Sequence, residues 1–327
     1  MSLDDIIHRQ DATAWDRFIS SPLIFLARWL YAAPSATSSS TSDKLPIRLV
    51  CISDTHNTHH AQPHLPEGDI LIHAGDLTQS GTDHELDDAL AWLSSHPHPH
   101  KIFIAGNHDV ALASPQTLAR IPPGLTYLEN SFIELTLRSG RQLRIYGSPY
   151  TPKHGSWPFQ YPRAVRPKLT GTTTTTTAAA IGTLQAHPEA HEIWSQIPPL
   201  TDILITHGPP LAHLDADRHG CDALLLALWR VRPKVHVFGH VHAGRGVERV
   251  QWDRAQMAYE DICAGGRTTG WGGLVKLGWY KLTLRAWLWK RSLGDGGVGT
   301  TTTVLVNAAA VAGLRDDQKK GAVVVEI

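Results

Sequence analysis

The side chains able to do chemistry in this sequence are Asp54 and His56 in SDTH, Asp76 in GDLT, Asn107 and His108 in GNHD, His207 in THGPP, and His240 and His242 in GHVH. Singly each is ordinary, since a lone Asp after a strand is usually a turn former or cap and a lone His a surface or core residue. Jointly they are not. Every one of these motifs stands at the carboxyl end of a short apolar run, where open α/β sheets place their ligand crevice. Glycine immediately precedes the polar residue in three of them, consistent with tight turns and close approach of backbone to a ligand. The donors, with His108 set aside, are two carboxylates, one carboxamide oxygen and four imidazoles, a hard or borderline set without a thiolate. It is too large for one tetrahedral zinc and suits two divalent ions that share a ligand. Two ions ~3.5–4 Å apart can clamp the attacking and leaving oxygens of an in-line displacement and acidify a bridging water. A carboxylate, with its two oxygens, is the natural bridge, and Asp76 is the candidate.

The elements that must position these groups are legible as short runs rich in β-branched residues: Ile47 to Ile52, Ile70 to Ile72, Ile102 to Ala105, Leu143 to Tyr146, Ile203 to Ile205 and Val235 to Phe238. Consecutive apolar positions predict strands buried on both faces. Asp83 to Ser94 and Cys221 to Arg230 read as helices between them, so strand and helix alternate as in an α/β layered fold. Ala322 to Ile327 is a β-like run expected to close a sheet. Trp15 to Leu30 has helical spacing and predicts one amphipathic helix, followed by a Ser/Thr-rich linker, so that residues 1–44 precede a main domain over 45–327. Two stretches read as insertions, a low-complexity loop at about 163–190 and a tryptophan-rich, packed subregion at about 249–303.

The order DxH, GD, GNH(D/E), H, GHxH is similar to that of the calcineurin-like metallophosphoesterase superfamily. SDTH, HAGD, GSPYTP with Trp157 and Phe159, THGPP, HGCDALL and VNAA narrow the resemblance to the metallophosphoesterase-domain-containing (MPPED, UPF0046) family, over roughly 46–248 and 303–327. The resemblance implies a two-sheet β-sandwich flanked by helices, in four layers αββα. It implies Asp54, His56 and His242 on a first metal, Asn107, His207 and His240 on a second, and Asp76 between them. His108 then contacts the phosphate and protonates the leaving oxygen. Asp76, Asn107 and His108 form the catalytic set, and Asn107 and His108 bind substrate. The implied reaction is attack on phosphorus by a hydroxide bridging two divalent ions, with Mn, Fe and Zn all compatible. GDLTQSG lacks the second Asp and the Arg of the GDxVDRG motif of Ser/Thr phosphoprotein phosphatases. The chain therefore resembles the phosphodiesterase branches, with cyclic nucleotides among the candidate substrates. A phosphomonoesterase and a catalytically weak nucleotide-binding or scaffold protein are the alternatives.

The remaining histidines carry blander expectations. His59, His60 and His64 are expected to be solvent-exposed, and His96, His98 and His100 to sit in a plain loop. His73 is expected to be a hydrogen-bonding neighbour of the site, Asp109 to orient a neighbour, and Cys221 to be a small buried residue at a helix start. Bulk composition bounds the partners. Lys plus Arg and Asp plus Glu number 30 each, so no polybasic field favours a nucleic-acid polymer. Three scattered cysteines exclude a disulfide scaffold and suit a reducing compartment. No signal peptide or transmembrane segment is expected, because the stretch Pro22 to Ala33 is shorter than the ~20 residues a span requires. A cytoplasmic location is the resulting expectation, with an N-terminal helix lying in a membrane interface as the lesser alternative.

Overall fold

A computed structural model describes residues 13–32, 46–163, 187–216, 219–265, 270–292, 302–312 and 318–327. The chain divides into two compact units. One comprises Met1–Leu45, Arg249–Thr303 and Gly313–Asp317, and the other Pro46–Glu248, Val304–Ala312 and Gln318–Ile327.

The second unit holds two sheets. In the first, β1 (Arg48–Ile52), β2 (Ile70–His73), β3 (His100–Phe103) and β4 (Leu125–Tyr127) run parallel in that order. The terminal strand Val323–Glu326 closes the β1 edge antiparallel, as expected from its sequence. The other sheet contains β5 (Ser131–Thr136), β6 (Gln142–Ser148), β7 (Ile203–Thr206), β8 (Val235–Phe238), β9 (Gly246–Gln251) and β10 (Thr302–Asn307), in the order β9-β10-β8-β7-β6-β5. Strand β5 pairs antiparallel to β6, whereas β6 is parallel to β7, β7 to β8 and β8 to β10. Alternation along each strand divides the apolar residues between two faces. Leu49, Cys51, Ile70 and Ile72 of one sheet and Ile145, Ile203, Val235 and Val237 of the other share a core between the sheets. Val50, Ile52, Leu71 and Phe103 face the other way, onto Leu86, Leu90 and Leu93 of a helix at Asp83–Ser95. That helix begins where Thr82 and Glu85 form a reciprocal capping box. A further helix, Asp222–Val231, follows the motif HGCDALL, and the fold is the expected α/β sandwich flanked by helices. The inserted loop expected at 163–190 falls mostly on 164–186, outside the described residues; a helix at Pro188–Ser195 follows.

The first unit is helical: α1 (Ala14–Ser20), α2 (Pro22–Ala32), α3 (Arg254–Gly265) and α4 (Gly270–Ser292). The single N-terminal helix expected from Trp15 to Leu30 is two helices. Ser21 leaves the helical region (φ −151°, ψ 73°) before Pro22, which disfavours helical backbone in its predecessor and itself suits a first helical position. Tyr31 of α2 stacks on Tyr259 of α3 at 4.0 Å between ring centroids, and Lys281 of α4 donates to the Tyr31 carbonyl at 2.9 Å. The packed subregion expected from its tryptophans exists, but most of its core is not tryptophan. Tyr259, Ile262, Cys263, Leu274 and Leu277 are buried alongside Trp252, while Trp271 and Trp279 are exposed.

Candidate metal centre

All the motif residues lie in the turns that follow β1, β2, β3, β7 and β8. Asp54 (φ 55°), His56 (42°), Asp76 (54°) and His240 (66°) adopt left-handed backbone, which turns the chain sharply off the strand ends. The SDTH and GDLT turns are tied together, since the Asp54 N–H donates to Gly75 O at 2.9 Å and the His56 N–H to Asp76 O at 3.1 Å. Two glycines are demanded by proximity. A Cβ at Gly106 would lie 2.2 Å from Asp76 Oδ1, and one at Gly239 would lie 2.0 Å from Asp54 Oδ2. The backbone bends within GHVH: His240 is left-handed and His242 opens a short 3₁₀ turn, which sends the two imidazoles to different groups.

Those groups are Asp54, His56 and His242, and Asp76, His207 and His240; within each, the ligand atoms lie within 4.8 Å of one another, close enough to hold a metal ion. Asp54 accepts the His240 N–H at 3.0 Å on each oxygen, and its Oδ1 stands 3.4 Å from His242 Nε2. The two oxygens of Asp76 are divided unequally. Oδ1 accepts the His108 N–H at 2.8 Å, while Oδ2 lies 3.2 Å from His207 Nε2 and 3.7 Å from His56 Nε2. One oxygen therefore faces both groups. Asn107 Oδ1 is 3.2 Å from His207 Nε2, which brings every expected ligand into one cleft.

The donor chemistry fits cations. Asp54 and Asp76 are buried, and among the described residues neither has a lysine or arginine partner. His207 is the more telling case. Its Nδ1–H donates to Ala74 O at 2.9 Å, leaving Nε2 as a lone pair that faces two oxygens. Only a proton or a metal ion makes that contact attractive. Without metal the proton prevails, because burial pushes the imidazole down but the charges of Asp76 and Asp54 outweigh it and raise the pKa to about 9. Burial likewise opposes ionisation of Asp54, yet His242 and His207 overcome it and hold the carboxyl at about 2. Asp76 ends well below the usual carboxylate range for the same reason, with His207 and His56 outweighing burial. Burial and neighbouring His207 hold His240 at about 3, so it is neutral, as a ligand must be.

His108 is placed by its Nδ1–H, which donates to Gln79 O at 2.7 Å and leaves Nε2 available. Asp109 orients its surroundings as expected. Its carboxylate accepts from Gly106 N (2.8 Å), Thr78 N (2.9 Å) and Thr78 Oγ1 (2.7 Å), fastening the GNHD turn to the GDLT turn. His73 bonds Thr55 Oγ1 at 3.1 Å rather than a candidate ligand. Cys221 is buried at the helix start and bonded by Tyr161 Oη–H at 2.9 Å; burial pushes its thiol up to about 11. His59, expected to be exposed, is buried and pairs with Asp88 at 2.9 Å; His98, in a loop as expected, is also buried and pairs with Pro66 O at 2.9 Å. Two residues that sequence reasoning had assigned no role lie at the site. The Trp157 ring sits 4.5 Å from that of His108, and His154 sits 5.5 Å from His240. The available signal was their place shortly after GSPYTP.

Comparison with known proteins agrees with this geometry. The family model for calcineurin-like phosphoesterases matches residues 47–244. The chain belongs to the calcineurin-like phosphoesterase family. Among curated relatives of this chain, human metallophosphoesterase domain-containing protein 1 is 38% identical over 231 residues, 61% of this chain and 62% of that protein. The UPF0046 protein C25E10.12 of Caenorhabditis elegans is 36% identical over 222 residues, 62% of this chain and 70% of that protein. These place the chain in the metallophosphoesterase-domain-containing group. "Probable rhamnogalacturonate lyase C" of Emericella nidulans is 43% identical over 337 residues, 99% of this chain but only 29% of that protein.

Proposed function

We propose that the protein hydrolyses phosphodiesters with two divalent ions, one held by Asp54, His56 and His242, the other by Asn107, His207 and His240, and with Asp76 shared. The observation that carries this reading is Asp76 Oδ2, which faces a histidine of each group while its partner oxygen is fixed by the His108 amide. Ions bound there supply Lewis acidity toward a phosphoryl oxygen and acidify water. The chain's own part is positional. Asn107 and His108 contact the phosphoryl group, and His108, braced on Gln79 O through Nδ1–H, acts as the imidazolium, passing its Nε2 proton to the leaving oxygen and ending neutral.

Two features support a diester over a monoester. In GDLTQSG, Gln79 and Ser80 stand where GDxVDRG has its second Asp and its Arg, so neither position supplies the fixed cation that a dianionic monoester would favour. Trp157, 36% exposed beside His108, offers an aromatic face to a nucleobase, which makes cyclic nucleotides the substrate class of choice. The lyase in the name of the Emericella relative is not carried over, because the chain spans less than a third of that protein and its site residues are those of a phosphoesterase.

The test is turnover of bis(p-nitrophenyl) phosphate, p-nitrophenyl phosphate and cyclic nucleotides by metal-loaded protein, with elemental analysis of the same sample. Two ions per chain and a kcat/KM at least about tenfold higher for diesters are expected. Preference for the monoester would overturn the diesterase assignment, and full activity with one ion would overturn the two-ion centre.

A further inference from the structure

The helical unit carries an apolar face that the phosphoesterase chemistry does not use. Along α4, Leu274 and Leu277 are buried, whereas Trp271, Val275, Trp279 and Leu282 are between 64% and 73% exposed. Those four recur at i, i+4, i+8 and i+11, which on a 3.6-residue helix is a single stripe. The helix thus has two apolar sides, one packed and one open, and an open stripe with two tryptophans is not what a solvated face selects.

Its charge is one-sided too. Gly270–Ser292 contains Lys276, Lys281, Arg285, Lys290 and Arg291 and no acidic residue, in a chain whose totals balance at 30 and 30. By helical geometry Lys276 lies beside the open stripe, at the edge away from Leu277. We propose that this face of α4 lies on the surface of an anionic phospholipid bilayer, with Trp271, Val275, Trp279 and Leu282 at the level of the headgroups and upper acyl chains.

Three points favour that occupant. Tryptophan prefers the membrane interface, and a helix that sets an exposed apolar stripe beside a lysine can lie in its plane. No described helix is long and apolar enough to cross a membrane, so the geometry is surface binding rather than spanning. A second copy of the chain would set one acid-free helix against another, opposing cations to cations, whereas phosphatidylserine headgroups neutralise them.

The experiment is co-sedimentation of the full chain with large unilamellar vesicles of phosphatidylcholine alone and of phosphatidylcholine with 30% phosphatidylserine. Partitioning should be about tenfold stronger on the anionic vesicles and should weaken as salt screens the headgroups. Trp271→Ser combined with Trp279→Ser should cut it about tenfold or more, and Lys276→Gln should weaken it two- to fivefold on anionic vesicles only. These side chains are exposed, so thermal melts of the variants should stay within a few degrees of the parent, which separates lost docking from lost folding. Absence of binding to anionic vesicles, or equal binding by the double variant, would overturn the proposal. So would a dimer in light scattering that the double variant dissolves while vesicles bind nothing, which would assign the stripe to a second copy.

Discussion

The metal centre and the cluster of His59, His60 and Asp88 use the same residue types to opposite ends. In the outer cluster each imidazole has one carboxylate oxygen to itself, His59 Nε2 at 2.9 Å from Asp88 Oδ2 and His60 Nε2 at 3.2 Å from Oδ1, and the aspartate is half exposed. Two ordinary hydrogen bonds satisfy it. In the centre, His207 Nε2 instead faces oxygens of both Asp76 and Asn107 while its own proton is committed to Ala74. A cation site is therefore recognised by lone pairs that converge with no hydrogen left to share, and not by the mere company of His and Asp.

Substitutions can break or sharpen that contrast. The largest effect is expected from Asp76→Asn, which should lower occupancy of both ions and cut activity by at least ~10³-fold. His240→Ala should mainly empty one site, and metal analysis of both variants distinguishes a shared ligand from a private one. Next, His108→Ala should keep both ions and lose ~10²–10⁴ in kcat on alkyl or nucleoside leaving groups, with a smaller loss on p-nitrophenolate, which departs without a proton. Equal losses on both, appearing mainly in KM, would reduce His108 to a phosphate binder. Trp157→Ala should raise KM for nucleoside and aryl esters about tenfold and leave that for methyl esters unchanged, as loss of one stacking face predicts. Asp88→Ala should leave kcat/KM and metal content as they were and lower Tm by several degrees, because it strips the buried His59 of its carboxylate partner. A change in metal content there would erase the distinction between the clusters.

Much of this was legible because two local signals coincide. Consecutive apolar residues such as Ile70 to Ile72 mark a strand buried on both faces, and a Gly-Asp or Gly-Asn pair immediately after marks where it must turn. What was illegible depends on partners distant in sequence. His59 is buried because Asp88 and Trp92, on a helix some thirty residues later, close over it. Trp157 and His154 reach the site through the pairing of short strands at Thr151–Pro152 and Gln160–Tyr161, a parallel contact no periodicity announces. The left-handed bend at His240 is set by its N–H on Asp54, nearly two hundred residues away in sequence. Proline at position 22 did announce the break between α1 and α2, but the spacing of Trp15 to Leu30 masked it.

The left-handed turns at Asp54, His56, Asp76 and His240 have a consequence for the cell rather than for the reaction. Such backbone costs about 1 kcal/mol at each non-glycine residue, and the two buried carboxylates lack a lysine or arginine partner among the described residues. Ions that bind only the folded chain return that cost and add to it in proportion to the logarithm of their concentration. If the proposed ions bind there, metal supply would govern how much folded protein survives quality control, since about 1–2 kcal/mol changes abundance several-fold. A starved cell would lose molecules of this protein before the surviving ones lost speed.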